Sequence, residues 1–171
     1  LAVEARQRAT ELEEKEALAL LDGVLDATKA STLERFIREH PGTRAEILAR
    51  IRIAEIDFHD LATNNPFRPS RNENSSWQGY LAKYAFGNYI PVPEDAAMRE
   101  KYYQQLHPLI LQALEKLGSF KYWLGYLFTY PKSPYFDEAS GKVEEALVAQ
   151  AASPVSGYIS TLKCADVSRD R

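Results

Sequence analysis

One spacing recurs three times in this chain and constrains its fold more than any other feature: residues of matching type at relative positions 0, 3, 4 and 7. Leu33, Phe36, Ile37 and His40 form the first copy, Trp77, Tyr80, Leu81 and Tyr84 the second, and Trp123, Tyr126, Leu127 and Tyr130 the third. These offsets put four side chains on one face of a helix with about 3.6 residues per turn. Each copy then meets a break: Pro41-Gly42, Gly87, and Pro131 followed by Ser133-Pro134. Proline lacks an amide donor and glycine admits unusual backbone angles, so helices end at such residues. The copies start 44 and 46 residues apart, a period at which self-similar segments fold as stacked supersecondary units.

A second apolar stripe follows each break. After Pro41-Gly42, a helix is predicted from Thr43 or Arg44, with Ile47, Ile51, Ala54 and Phe58 on one stripe and Ala45, Leu48 and Ala49 on its neighbour. So wide an arc predicts a helix packed from two sides. After Pro91-Val92-Pro93 the next begins at Glu94; Pro108 predicts a kink or a fresh helix from His107 to Leu117, ended by Gly118, with Ser119 capping the following one. The last begins at Pro134 or Tyr135 and carries Phe136, Ala139, Val143, Ala146 and Leu147 at helical spacing. Ahead of the first copy, Glu4 to Ala27 reads as an amphipathic helix, with Leu18, Leu21 and Leu25 opposite the acidic Glu11, Glu13, Glu14 and Glu16. Asn64-Asn65-Pro66 opens a polar stretch through Ser76 that reads as a loop.

The expected architecture is therefore all-α, with about seven helices. Residues 1–27 form an N-terminal amphipathic helix, 28–152 three degenerate helix-turn-helix repeats, and 153–171 an irregular tail. Two short helices cannot satisfy each other's apolar faces alone, so neighbouring pairs must stack, as a short superhelix or a compact bundle.

The turns carry a further likeness. Phe36-Ile37-Arg38-Glu39-His40-Pro41-Gly42 and Tyr126-Leu127-Phe128-Thr129-Tyr130-Pro131-Lys132-Ser133 resemble the Phe/Tyr-Leu-x-x-Tyr-Pro-x-Ser turn of tetratricopeptide-like (TPR-like) repeats, especially the divergent type of bacterial cell-envelope proteins. The resemblance spans Ala27 to Leu147 in pattern and implies a protein-binding scaffold, periplasmic or envelope-associated, with a cytoplasmic setting as the other option. Its motif is made mainly of packing residues, so it specifies architecture more than role. The period exceeds the roughly 34 residues of a regular repeat of this kind, and Ala85 stands in the second copy where the others have proline.

Composition narrows the function. A net charge of -3 lacks the basic excess that phosphate backbones attract, so nucleic acid is not an expected partner. No apolar run approaches the roughly 20 residues of a membrane-crossing helix. The sequence opens at Leu1 rather than Met, which implies trimming and leaves open a signal or lipid anchor ahead of it. The single Cys164 has no cysteine partner. His40, His59 and His107 form no His-x3-His or His-Glu-x-x-His pair. Glu55, Asp57, His59 and Asp60 read as a solvated helix end. No cofactor, metal or catalytic residue is expected, and the chain reads as a noncatalytic adaptor for a protein partner, a peptide segment or an assembly subunit.

Fifteen of the 19 aromatic residues lie between Trp77 and Phe136, so most are expected to fill the core there. Tyr89, Tyr102, Tyr103 and Tyr135 fall off the shared positions, and tyrosine joins an apolar body to a polar tip, as interfaces favour. These four, with Phe67, Arg68 and Arg71 of the polar loop, are the candidate partner-binding residues. The competing reading is a small-ligand protein or enzyme that uses the aromatic centre as a pocket, with His59 or His107 as acid or base. If Trp123 packs between helix pairs, Trp123→Ala will destabilise the fold by about 3 to 5 kcal/mol; an unchanged denaturant midpoint would contradict the alignment of the three copies.

Overall fold

The computed structural model describes residues 2–25, 30–63 and 76–152. Among the described residues there are seven helices and no strand. They are α1 (Ala2–Asp22), α2 (Ala30–Glu39), α3 (Arg44–Thr63), α4 (Trp77–Tyr84), α5 (Ala96–Leu117), α6 (Phe120–Thr129) and α7 (Phe136–Ala152). The three segments sharing the 0, 3, 4, 7 spacing become the short helices α2, α4 and α6, and the longer α3, α5 and α7 follow them. Each short helix packs most extensively on the long helix directly after it, and α1 and α5 both lie against α3.

The helix boundaries follow local chemistry. At the start of α3, the Thr43 hydroxyl accepts from the Glu46 amide at 3.1 Å, while the Glu46 carboxylate turns back to the Gly42 amide. This is close to a capping box. Glu14 of α1 reaches the same terminus and accepts from the Arg44 amide at 2.9 Å, so a carboxylate meets the positive end of the helix dipole. Ser76 caps α4 through the Gly79 amide at 3.0 Å, and Asp95 caps α5 through the Met98 amide at 3.2 Å. Gly118 ends α5 with φ of 60°, a left-handed geometry that costs a side-chain-bearing residue about 1 to 2 kcal/mol. Ser119 stands at the N-cap of α6 as expected, although its side chain makes no capping hydrogen bond.

Two expectations are corrected. The first helix ends at Asp22, in a turn where the Val24 and Leu25 amides both donate to the Leu21 carbonyl. Of the two outcomes expected at Pro108, a kink or a fresh helix, the fresh helix is ruled out: α5 runs through it. Proline removes one internal hydrogen bond, but Leu106, His107, Ile110 and Leu111 on both sides are buried, and this packing holds the helix together. The expected polar loop lies largely outside the described residues, as does the tail from residue 153.

The core has two clusters joined by α3. Ala45, Ala49 and Ile53, at i, i+4 and i+8, face Ala17 and Leu21 of α1 and Leu33, Phe36 and Ile37 of α2. Ile51 and Ala54, with Ile47 and Phe58 half-buried beside them, face the larger cluster built by α4 to α7. Phe58 carries this contact into α4, with ring centroids 5.2 Å from Trp77 and 5.8 Å from Tyr80. On α6, a Cβ added at Gly125 would sit 3.3 Å from the Phe86 ring, so the bare backbone makes room for that ring. Ala54 is fully buried in the larger cluster. Ala54→Leu is expected to lower stability by about 1 to 3 kcal/mol through overpacking; a urea midpoint equal to or above that of the wild type would refute the close packing of this face.

Candidate functional site

The aromatic centre is organised around one histidine. His107, fully buried on α5, has five tyrosine rings about it: Tyr103 and Tyr130 with centroids at 4.6 Å, Tyr102 at 5.2 Å, Tyr126 at 5.6 Å and Tyr135 stacked at 6.3 Å. Its Nδ1 lies 2.6 Å from the Tyr126 hydroxyl, which lies 2.8 Å from Ser133 Oγ. Ser133 is buried in the turn between α6 and α7, where its Oγ also accepts from the Tyr135 amide at 3.2 Å. Tyr130 closes the group by donating its hydroxyl proton to the Ala85 carbonyl, which ties the end of α6 to the end of α4.

A neutral imidazole has one donor and one acceptor nitrogen. A phenol is the stronger donor and an imidazole nitrogen the stronger acceptor, so we assign the Tyr126 proton to the bond with Nδ1. His107 then carries its hydrogen on Nε2, a buried atom with no hydrogen-bond partner among the described residues. Burial lowers the His107 pKa from 6.5 to about 3, because the charged form loses its hydration. Burial likewise raises Tyr102, Tyr126 and Tyr130. All of them stay neutral near pH 7.

A second polar group lies between α3 and α4. Asp57 accepts from the Tyr84 hydroxyl and from Lys83 Nζ, the latter at 3.1 Å. The Lys83 ammonium sits 4.6 Å from the centroids of both Tyr84 and Tyr89, and the Arg50 guanidinium 4.8 Å from Tyr89. Arg50 also donates to the Tyr89 carbonyl at 3.0 Å. Burial, followed by the Asp57 hydrogen bond, raises the Tyr84 pKa. Cation–π contacts and ion pairing here hold the chain after α4 against α3.

Two open depressions lie beside the histidine group. The larger, about 440 Å³, is lined by Val92, Pro93, Glu94, Arg99, Tyr103 and Lys132. Arg99 Nε donates to the Pro93 carbonyl at 3.1 Å and Nη2 to the Glu94 carbonyl, so the guanidinium fixes the turn before α5. The smaller, about 180 Å³, is lined by Pro108, Leu111, Gln112, Glu115, Tyr135 and Glu138. Tyr103 and Tyr135, each half-buried, thus contact His107 and also border an open depression.

Of the candidates drawn from sequence, Tyr102, Tyr103 and Tyr135 meet around His107. Tyr102 is corrected: it is fully buried, with its ring against Tyr103 and His107, and offers no exposed surface to a partner. Successive helix residues turn by about 100°, so Tyr102 points inward where Tyr103 reaches the edge. Tyr89 is half-buried in the separate Asp57 group. Phe67, Arg68, Arg71 and Cys164 lie outside the described residues. Glu55, Asp57, His59 and Asp60 do not converge: Glu55 pairs with Arg52 at 2.7 Å, Asp57 turns to α4, and His59 and Asp60 are exposed. Among the described residues no three His, Cys, Asp or Glu side chains are grouped as metal ligands would be. Sequence reasoning missed Arg99, Lys132 and Ser133; the paired prolines before Arg99 and the Pro-Lys-Ser-Pro turn were the available signals.

Comparison of the chain with protein-family models, with curated proteins and with solved structures finds no match.

The buried imidazole has a pH consequence. The folded pKa is depressed, so below 6.5 the unfolded chain takes up a proton that the native state refuses until about 3. Stability is then full above 6.5 and falls as pH drops, with a slope approaching 1.4 kcal/mol per pH unit from this one group. Denaturant midpoints measured from about pH 7 to 5, above the carboxylate range, should fall less steeply in His107→Gln than in wild type. Identical pH dependences would show that His107 titrates freely in the native state.

Proposed function

We propose that this chain is a noncatalytic protein-interaction scaffold that presents the depression beside Tyr103 to a peptide segment or to another subunit of an assembly. The observation that carries this reading is the division of the aromatic centre into a sealed part and an open part. His107, Tyr126 and Ser133 are buried and bonded to one another, so they stiffen the packing of α5 on α6. Tyr103, Arg99 and Lys132 border the open depression. Rigid helices that display a few tyrosine and cationic side chains at a shallow concavity suit recognition of a protruding chain segment.

The competing pocket reading needed an accessible histidine at a cavity. Buried, neutral His107 is poorly placed for proton exchange with a substrate, and His59 stands exposed on α3, away from that centre. The alternation of short and long helices supports the repeat reading, and the TPR-like turn residues favour a bacterial envelope or secretion assembly as the setting. Both belong to the proposal.

The test is affinity capture from native lysate with the full chain as bait, beside Tyr103→Ala and Lys132→Glu. Lys132 is exposed, so its reversal leaves the core intact. A stoichiometric partner whose retention drops about tenfold in both variants is expected. Absence of any stoichiometric partner, or a partner held equally by all three baits, would remove the basis for this surface.

A further inference from the structure

The groups that meet at the larger depression are mostly donors, and this gives the ligand a chemistry. Arg99 spends two of its N–H groups on the carbonyls of Pro93 and Glu94 and, among the described residues, has no carboxylate partner. Lys132, on the turn that carries Ser133, has none either. Guanidinium and ammonium groups offer hydrogen only. Against them stands one carboxylate, Glu94, at the same rim. Behind the Tyr103 ring lies a further donor without an acceptor among the described residues, His107 Nε2 in the tautomer assigned above. An unpaired buried donor costs about 1 to 3 kcal/mol, so an excess of donors around one ring marks a place deficient in acceptors.

Resting on the scaffold reading, we propose that the depression receives an acidic side chain, Asp or Glu, projecting from a partner's peptide segment. Its carboxylate lies between Arg99 and Lys132, and Tyr103 covers the adjoining backbone. An open basin of about 440 Å³ bordered by Val92 and Pro93 suits a side chain with flanking apolar residues, whereas small-molecule sites enclose most of their ligand. Charge-assisted bonds from the two cations supply the selectivity for carboxylate over amide.

The experiment titrates the ¹⁵N-labelled full chain with acetyl-Val-Glu-Leu-amide, with its Gln counterpart, and with sodium acetate, up to millimolar concentration. Saturable shifts of the Val92, Glu94, Arg99, Tyr103 and Lys132 amides are expected with the Glu peptide. Binding should be weaker by roughly fivefold for the Gln peptide and in Lys132→Gln, a size set by exposed ion pairs. Equal binding of the Glu and Gln peptides, or no shift with either, overturns the proposal. Acetate that binds as tightly as the Glu peptide overturns it in favour of a free-carboxylate site. Shifts at both ends of α1 in place of these residues overturn it in favour of another surface. If a captured partner is still lost in Tyr103→Ala while the Glu peptide leaves the spectrum unmoved, the acidic docking falls and the scaffold reading stands.

Discussion

Everything in this fold hangs on α3 having two apolar faces. An ordinary surface helix buries one stripe and leaves the other to water, which would end the chain's packing at a single layer. Here Ala45, Ala49 and Ile53 lie against α1 and α2, while Ile51 and Ala54 lie against the cluster of α4 to α7. Alanine leaves room for a neighbouring helix there, and α1 and α5 both lie against α3. The two clusters thus meet on this one helix, which packs against both.

The larger cluster uses tyrosine where a simpler core would use leucine or phenylalanine, and each hydroxyl then needs a partner. Tyr84 finds Asp57, Tyr130 the Ala85 carbonyl, and Tyr126 His107 and Ser133. Each bond crosses from one helix or turn to another and so fixes register as well as distance. Tyr80, also buried, has a hydroxyl without a partner among the described residues. The polar bonds run between the ends of the short helices and their neighbours, where apolar packing alone would permit sliding.

Much of this was legible in the sequence because the signals were local. The 0, 3, 4, 7 spacing with proline or glycine after it located α2, α4 and α6, and the two stripes on the third helix announced packing from both sides. Pro108 misled because its penalty is also local, while the burial of Leu106, His107, Ile110 and Leu111 that overrides it depends on helices far along the chain. Tyr102 and Tyr103 were indistinguishable as letters, since an adjacent pair straddles the boundary between core and edge and only the rotation of α5 separates them. The cations at the depression come from helix α5 and from the turn before α7, far apart in sequence, so no spacing within either could reveal that Arg99 and Lys132 share a rim.

The location of the depression follows from the same packing. Among the described residues α5 is the longest helix, and Arg99 and Tyr103 lie in its N-terminal part. Arg99 ties back the Pro93-Glu94 turn, while Pro131 ends α6 and carries Lys132 away from the helix axis. Between these two turns Tyr103 stands with one flank on His107 and the other on the opening. A side chain placed so is held by the core it touches, against the rings of Tyr102 and His107. The buried histidine, neutral and bonded to Tyr126, forms the wall behind Tyr103, and on the scaffold reading proposed above that wall is its contribution to recognition.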